Sequence, residues 1–179
     1  MKHVVLCSSG IRSAVLLASV VHEYGDINTE VLWINYGQKN YYQEFEHVKL
    51  LCEYYGVDLF RIAIIPPFDE FSNNKLCLPF LFSAFAVCRA SPYGKVYIGL
   101  EHNTLWSKKT AGGIEIETPL SGLSLEDVIK LGDELGVPFH LTYSCDLGDR
   151  YHCGTCSSCK RRKKAFSNLN MEDSVTYEV

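Results

Sequence analysis

The sequence predicts an α/β protein: a parallel sheet with helices on both faces, followed by a small metal-binding knuckle. Short apolar runs at residues 2–7, 30–35, 58–65 and 95–100 read as strands, and the stretches between them are long enough for crossover helices. A small-residue loop, Ser8-Ser9-Gly10, joins the first run to a helical pattern. Four of the eight cysteines fall between Cys145 and Cys159. At 179 residues, 47% hydrophobic and 21% charged, with a net charge of −4, the chain suits one compact fold and is neither disordered nor fibrous. The N-terminal apolar run is too short for a signal peptide and nothing later approaches a membrane span, so a cytoplasmic protein is expected.

Taken in order, the first strand is K-H-V-V-L-C, and Ala14, Leu17, Ala18 and Val21 share a face of the helix that follows, which Gly25-Asp26 ends. The loop between them brings backbone N–H groups and a helix N-terminus to one place, where small residues let an anion approach. Glu30 to Asn35 form the second strand. Tyr36-Gly37-Gln38-Lys39 turns into a helix with Phe45, Val48, Cys52 and Tyr55 at helical spacing, and Gly56 closes it. Asp58 to Ile65 is a third strand, stopped by Pro66-Pro67. Pro79 opens an apolar helix through Ala90, Lys95 to Leu100 is a fourth strand ending in Glu101-His102-Asn103-Thr104, and residues 106–113 read as a loop or flap. Ser124 caps a helix from Leu125 to Leu135, with Asp127 three residues on. Phe139 to Ser144 reads as extended, a basic helix runs to about Asn168, and the tail from Met171 is expected to be loosely held.

Cys145, Cys153, Cys156 and Cys159 have the spacing of a closed tetrahedral site, and the segment cannot otherwise bury enough apolar surface to hold a shape. A structural Zn²⁺ ion is the reading; disulfides and an iron–sulfur cluster are the alternatives. The first conflicts with the expected reducing compartment, and the second lacks the C-x3-C-P continuation of bacterial ferredoxins. His152, beside Cys153, reads as a solvated loop histidine. The K-R-R-K-K run from Lys160 to Lys164 reads as a solvated helix face rather than a nucleic-acid contact. Residues 1–144 are expected to form the α/β nucleotide-binding domain and residues 145–179 the knuckle and basic helix, packed on the same domain.

V-V-L-C-S-S-G-I-R-S after the first strand, N-Y-G-Q-K-N after the second, L-F-S-A-F-A, Y-I-G, E-T-P-L and the closing L-T-Y-S-C with C-G-T-C-S-S-C occur in this order over most of the chain. Together they resemble the 7-cyano-7-deazaguanine synthase family of PP-loop ATP pyrophosphatases. The resemblance implies a Rossmann-like sheet, zinc on the four cysteines, ATP phosphates at the loop after the first strand, Mg²⁺ accompanying the ATP, and often a homodimer. It also implies a reaction: a carboxylate of 7-carboxy-7-deazaguanine is adenylated, takes ammonia to become an amide, and is dehydrated to a nitrile in a second ATP-dependent step.

This chain departs from the family where the chemistry lies. Ser9 and Arg12 stand where the family has glycine and an acidic residue. The P-G-R-N segment is reduced to Leu78-Pro79, and residues 104–115 replace a longer substrate loop. A guanidinium at position 12 cannot bind Mg²⁺, though it can clamp a phosphate directly. The expected nucleotide site is Ser8, Ser9, Gly10, Arg12, Ser13, Asn35, Tyr36 and Gln38, with Glu101 and His102 on the substrate side and no catalytic residue assigned. Two readings follow: an ATP-dependent ligase acting on a deazapurine carboxylate, or a catalytically degenerate module that binds a deazapurine, a nucleotide or a protein partner.

Overall fold

A computed structural model describes residues 2–63, 86, 90, 94–101, 109–111, 114–148 and 150–178. Its strands are β1 (His3–Leu6), β2 (Thr29–Asn35), β3 (Asp58–Ala63), β4 (Lys95–Ile98), β5 (Lys109–Ala111) and β6 (Ile114–Glu117). Helices α1 (Ile11–Tyr24), α2 (Tyr41–Tyr55), α3 (Leu125–Glu134) and α4 (Ser157–Asn168) accompany them. The sheet order is β3-β2-β1-β4-β6-β5. Five strands are parallel and β5 alone runs antiparallel, against β6.

Strand pairing follows from side-chain alternation. Val5, Val31, Trp33 and Tyr97 face the layer of α1, α2, α3 and α4, where Leu17, Val48, Leu51, Val128, Ile129 and Phe166 complete the larger core. Val4, Leu32, Ile34, Val96, Ile98, Ile114 and Ile116 face the other side, where the helical residue Ala86 is fully buried against them. Both faces of a parallel sheet must be covered in this way, which is why its strands are apolar throughout. Apart from Ala86 and Ala90, the segment read as the Pro79 helix lies outside the described residues, as do Ile64 and Ile65 at the expected end of the third strand.

The chain runs outward from β1 to β2 and β3, then returns to place β4 on the other edge of β1. Such a reversal opens a crevice beyond the carboxyl ends of the strands flanking it. Three expectations are corrected here. Residues 109–111 of the stretch read as a loop form β5, which pairs with β6, a strand the sequence reading did not include: in I-E-I-E, Ile114 and Ile116 turn inward while Lys95 bridges Glu115 and Glu117 outside. Phe139–Leu141 is a 3₁₀ turn rather than extended chain, closed by Thr142 N–H on the Phe139 carbonyl. The tail is not loose either, for Met171 N–H donates to the Phe166 carbonyl, His152 N–H donates to the Thr176 carbonyl, and Glu178 N–H donates to the His152 carbonyl.

α3 begins as its cap requires, with Asp127 N–H donating to Ser124 Oγ at 3.0 Å. It leans on α1 through Gly132, where an added Cβ would lie 2.7 Å from both Val15 Cγ2 and Phe139 Cζ. Gly132→Ala should therefore overpack this contact and destabilise the fold by roughly 1–3 kcal/mol, despite the better helix propensity of alanine. Urea denaturation should show a lowered midpoint with an unchanged slope.

Candidate functional site

A cavity of about 520 Å³ opens at the carboxyl ends of β1, β2 and β4. Its wall takes residues from the loop after β1, from α1, from the turn after β2, from α2, from the end of β4, and from the C-terminal segment.

The Ser8-Ser9-Gly10 loop is shaped by its own small side chains. Ser13 Oγ donates to the Gly10 carbonyl at 3.0 Å and accepts from Ser8 N–H at 3.2 Å, so one hydroxyl closes the loop. Gly10 is the N-cap of α1 and has no side chain to offer, which leaves the first-turn N–H groups without a side-chain cap. Ser9 sits at φ 59°, in the left-handed region that favours glycine. Its side chain is fully buried, with Oγ donating to the Tyr143 carbonyl while Tyr143 N–H donates back to the Ser9 carbonyl at 3.0 Å. Ser9 thus buttresses the loop from behind, and only Ser8, Gly10, Arg12 and Ser13 of the expected loop residues line the cavity. Cys7 also lines it, but burial pushes its thiol up to about 11, so it is no nucleophile at neutral pH.

The N-Y-G-Q turn is likewise self-supported. Asn35 Oδ1 accepts from Gly37 N–H, and Gln38 Oε1 accepts from Tyr36 N–H. Gln38 Nε2 donates to the Ile34 carbonyl and to Glu44 Oε1. Asn35 and Gln38 therefore hold the turn, whereas Tyr36 reaches the cavity.

Arg12 spans the wall: Nη1 donates to the Leu120 carbonyl at 2.9 Å and Nη2 to the Leu123 carbonyl at 3.1 Å. The E-T-P-L-S-G-L turn is thereby tied to α1. Glu101 stands at the end of β4 and receives both contacts of Arg161 Nη1, each at 3.1 Å. Two guanidinium groups and one carboxylate thus share this end of the cavity. His102 lies outside the described residues.

Sequence reasoning missed the contribution of the C-terminal segment to this wall, which takes in Tyr143, Ser144, Asp146, Ser158, Arg161 and Arg162. The basic run is not a uniformly solvated face. Arg162 is 1% exposed, and its guanidinium donates to Asp173, Thr142 Oγ1, Ser144 Oγ and the Phe139 carbonyl. Its helical spacing from Cys159, Ala165 and Phe166, all buried, was the available signal. Glu44 was missed too. It falls on the apolar face of α2 with Val48, Leu51 and Cys52, and the Trp33 indole N–H donates to its Oε1 at 2.7 Å.

The four cysteines of the knuckle converge. Their sulfur atoms all lie within 4.8 Å of one another, with Cys145 and Cys159 buried and Cys153 and Cys156 half-buried. N–H groups of Thr155 and Cys156 point at Cys153 Sγ, and Cys159 N–H at Cys156 Sγ, an arrangement that supports thiolates. The set could hold a tetrahedral metal ion as a zinc knuckle. None of the described cysteines is joined in a disulfide. His152 is not solvated: it is 3% exposed, packs beside Tyr143 and Tyr177, and accepts from Ser144 N–H through Nε2 at 3.0 Å. Burial, reinforced by Arg162, lowers it to about 4, so it is neutral. It stands behind the ligand set as a spacer.

A family profile described as "Queuosine biosynthesis protein QueC" matches residues 83–170. A 7-cyano-7-deazaguanine synthase of Chlorobaculum parvum is 30% identical, with all of this chain and 97% of the relative covered. The chain belongs to the 7-cyano-7-deazaguanine synthase family. Further members are similar at 26% in Methanothermobacter thermautotrophicus, covering 99% of both chains, and at 29% in Sulfurisphaera tokodaii, covering 99% and 98%. These alignments run over 223 and 202 positions, more than the 179 residues here, so this family member is a shortened one.

The buried Arg162–Asp173 pair joins α4 to the tail and to the segment that enters the knuckle. Arg162→Ala should strand Asp173 and several acceptors, costing roughly 3–5 kcal/mol in chemical denaturation. Arg162→Met combined with Asp173→Leu should recover part of that loss, since the double variant leaves no buried charge unpaired.

Proposed function

We propose that this protein is an ATP-dependent ligase of the 7-cyano-7-deazaguanine synthase type, converting the carboxylate of 7-carboxy-7-deazaguanine to a nitrile by way of the amide. The observation that carries the reading is the cavity itself. In a chain similar to these synthases over nearly its whole length, an uncapped helix N-terminus, the Ser8–Ser13 loop and two arginines meet in one space at the strand ends. Its volume falls in the range of small-molecule sites. The first-turn N–H groups and the Ser8 hydroxyl would receive the phosphates, and the ring of the nucleotide would lie toward Tyr36. Glu101 and His102 would belong to the deazapurine side.

Among the described residues, the cavity wall does not present a ready ligand set for Mg²⁺. Of its three carboxylates, Glu44 is held by Trp33 and Gln38, Glu101 by Arg161, and Asp146 by the Ser157 and Ser158 hydroxyls and Ser158 N–H. Arg12 supplies fixed positive charge in this reading. The knuckle is assigned Zn²⁺, which would pin α4 and with it Arg161 and Asp146 against the cavity. No helix among the described residues is long and apolar enough to cross a membrane, and we assign the protein to the cytoplasm with small-molecule ligands.

A second reading has an observation of its own. The Arg12 guanidinium is engaged by two backbone carbonyls at the place where the family carries an acidic side chain. That favours a module which binds a nucleotide or deazapurine without turning it over.

Titration with ATP and Mg²⁺, with and without 7-carboxy-7-deazaguanine and ammonia, separates the two. The ligase reading expects saturable binding and AMP release that requires the deazapurine; binding without AMP supports the module, and no nucleotide binding removes both nucleotide readings. Elemental analysis should find one zinc per chain, and Cys156→Ser should reduce it and lower the melting temperature. Iron or a stoichiometry near zero would reject the zinc assignment.

A further inference from the structure

Glu44 sits at the cavity in an arrangement that the proposed phosphate and carboxylate chemistry leaves unexplained. Its carboxyl group is nearly buried, 9% exposed as a residue, and forms part of the cavity lining. Both available donors, Trp33 Nε1 at 2.7 Å and Gln38 Nε2 at 3.0 Å, go to the same oxygen, Oε1. Oε2 takes no donor among the described residues. A carboxyl group held rigidly by one oxygen, with the other left for the cavity, is built to meet a ligand hydrogen.

Resting on the nucleotide and deazapurine reading above, we propose that Glu44 is a specificity residue whose Oε2 accepts a hydrogen bond from the exocyclic amino group of a purine-like ring. The partner chemistry is an amino-substituted heterocycle, which both the adenine of ATP and the 2-amino group of a deazaguanine supply. A phosphate or a carboxylate would be repelled at this position.

The surroundings give the contact a pH dependence. Burial pushes the Glu44 carboxyl up to about 7, while the two N–H donors act against that rise. The titratable neighbours that feel its charge are Cys7 beyond β1 and Tyr36 beyond β2, both shifted upward by burial and both neutral near pH 7. Trp33, from β2, contributes only a neutral donor. Arg12 from α1, Glu101 after β4, and Asp146, Arg161 and Arg162 from the C-terminal segment line the rest of the wall. Above pH 7 the ionised group offers an acceptor at Oε2. Below it, because Oε1 is already occupied by donors, the proton resides on Oε2 and the group offers an O–H donor instead. Affinity for an amino-substituted ring should therefore be full on the alkaline side and fall as pH drops through 7, whereas a ring bearing only a carbonyl should gain.

Three nucleosides test this without phosphates: adenosine carries a 6-amino group, guanosine a 2-amino and a 6-oxo group, and inosine, which shares the N1–H and 6-oxo groups of guanosine, has no exocyclic amino group. Calorimetric or NMR titration of the full chain at pH 8 should find adenosine or guanosine binding roughly tenfold or more tightly than inosine. The one preferred tells whether the nucleotide ring or the deazapurine ring occupies the site. The preference should shrink at pH 6. In Glu44→Gln the amide oxygen can keep the Trp33 and Gln38 bonds while its NH₂ group faces the cavity, so the preference should invert toward inosine and lose its pH dependence.

The wild-type pH profile serves as a second readout should the variant fold poorly. Equal affinities for the three nucleosides, a preference that does not move between pH 6 and 8, or no binding of any of them would overturn the assignment. AMP release in the presence of equal affinities would defeat this inference and leave the ligase reading standing. Discrimination without AMP release would do the reverse.

Discussion

A guanidinium withdrawn from water is tolerable only when its N–H groups find acceptors, and Arg162 meets that condition by gathering three parts of the chain around itself. Asp173 comes from the tail, Thr142 and Ser144 from the segment that enters the knuckle, and the Phe139 carbonyl from the turn before it. Each also belongs to something else. The Phe139 ring meets Phe166 edge-on in the main core, Ser144 N–H fixes the His152 ring, and Tyr143 between them supports the loop after β1. Charge satisfaction, core packing and the shape of the candidate site are therefore one requirement rather than three.

The central strand supplies the other half of the frame. β1 is hydrogen-bonded on both edges, and the loop that leaves it inherits that rigidity. The turn after β2 is stiffened differently, by Asn35 and Gln38 folding back on its own backbone. A third part, the cysteine segment, approaches this turn so closely that a Cβ on Gly148 would lie 2.7 Å from the Lys39 carbonyl oxygen, and Asn40 donates to the Cys145 carbonyl. The cavity is thus bounded by elements braced separately and then pressed together, as a pre-formed ligand site requires.

Much of the architecture was legible because it depends on local patterns. Strand alternation, the Ser124 cap, Gly56 at the end of α2 and the cysteine spacing are each written within a few residues. What escaped detection depends on partners distant in sequence. A serine in the left-handed region makes sense only once Tyr143 is seen behind it, and a buried histidine looks like any loop histidine until two tyrosines enclose it. Glu44 and Arg162 each interrupt an apolar helical face, so the pattern carried a trace of them, but their meaning lay in Trp33 and Asp173. β5 and β6 were hidden for another reason: strands this short carry little apolar signal, and the ion pairs of Lys95 with two glutamates, which join β6 to β4, link residues about 20 positions apart.

The Ser9 geometry has a consequence for how the protein is made. A left-handed serine costs roughly 1–2 kcal/mol over glycine, and its compensating bonds come from Tyr143, 134 residues later. As the chain leaves the ribosome, the loop emerges before Tyr143, and its final shape waits for that residue. β1 itself lacks one edge until β4 has been synthesised. The nascent protein must therefore carry an unfinished site until Tyr143 has emerged, with a long loop to close before the strain is relieved. Replacing Ser9 with glycine would loosen that dependence, letting the loop settle before its distant support arrives.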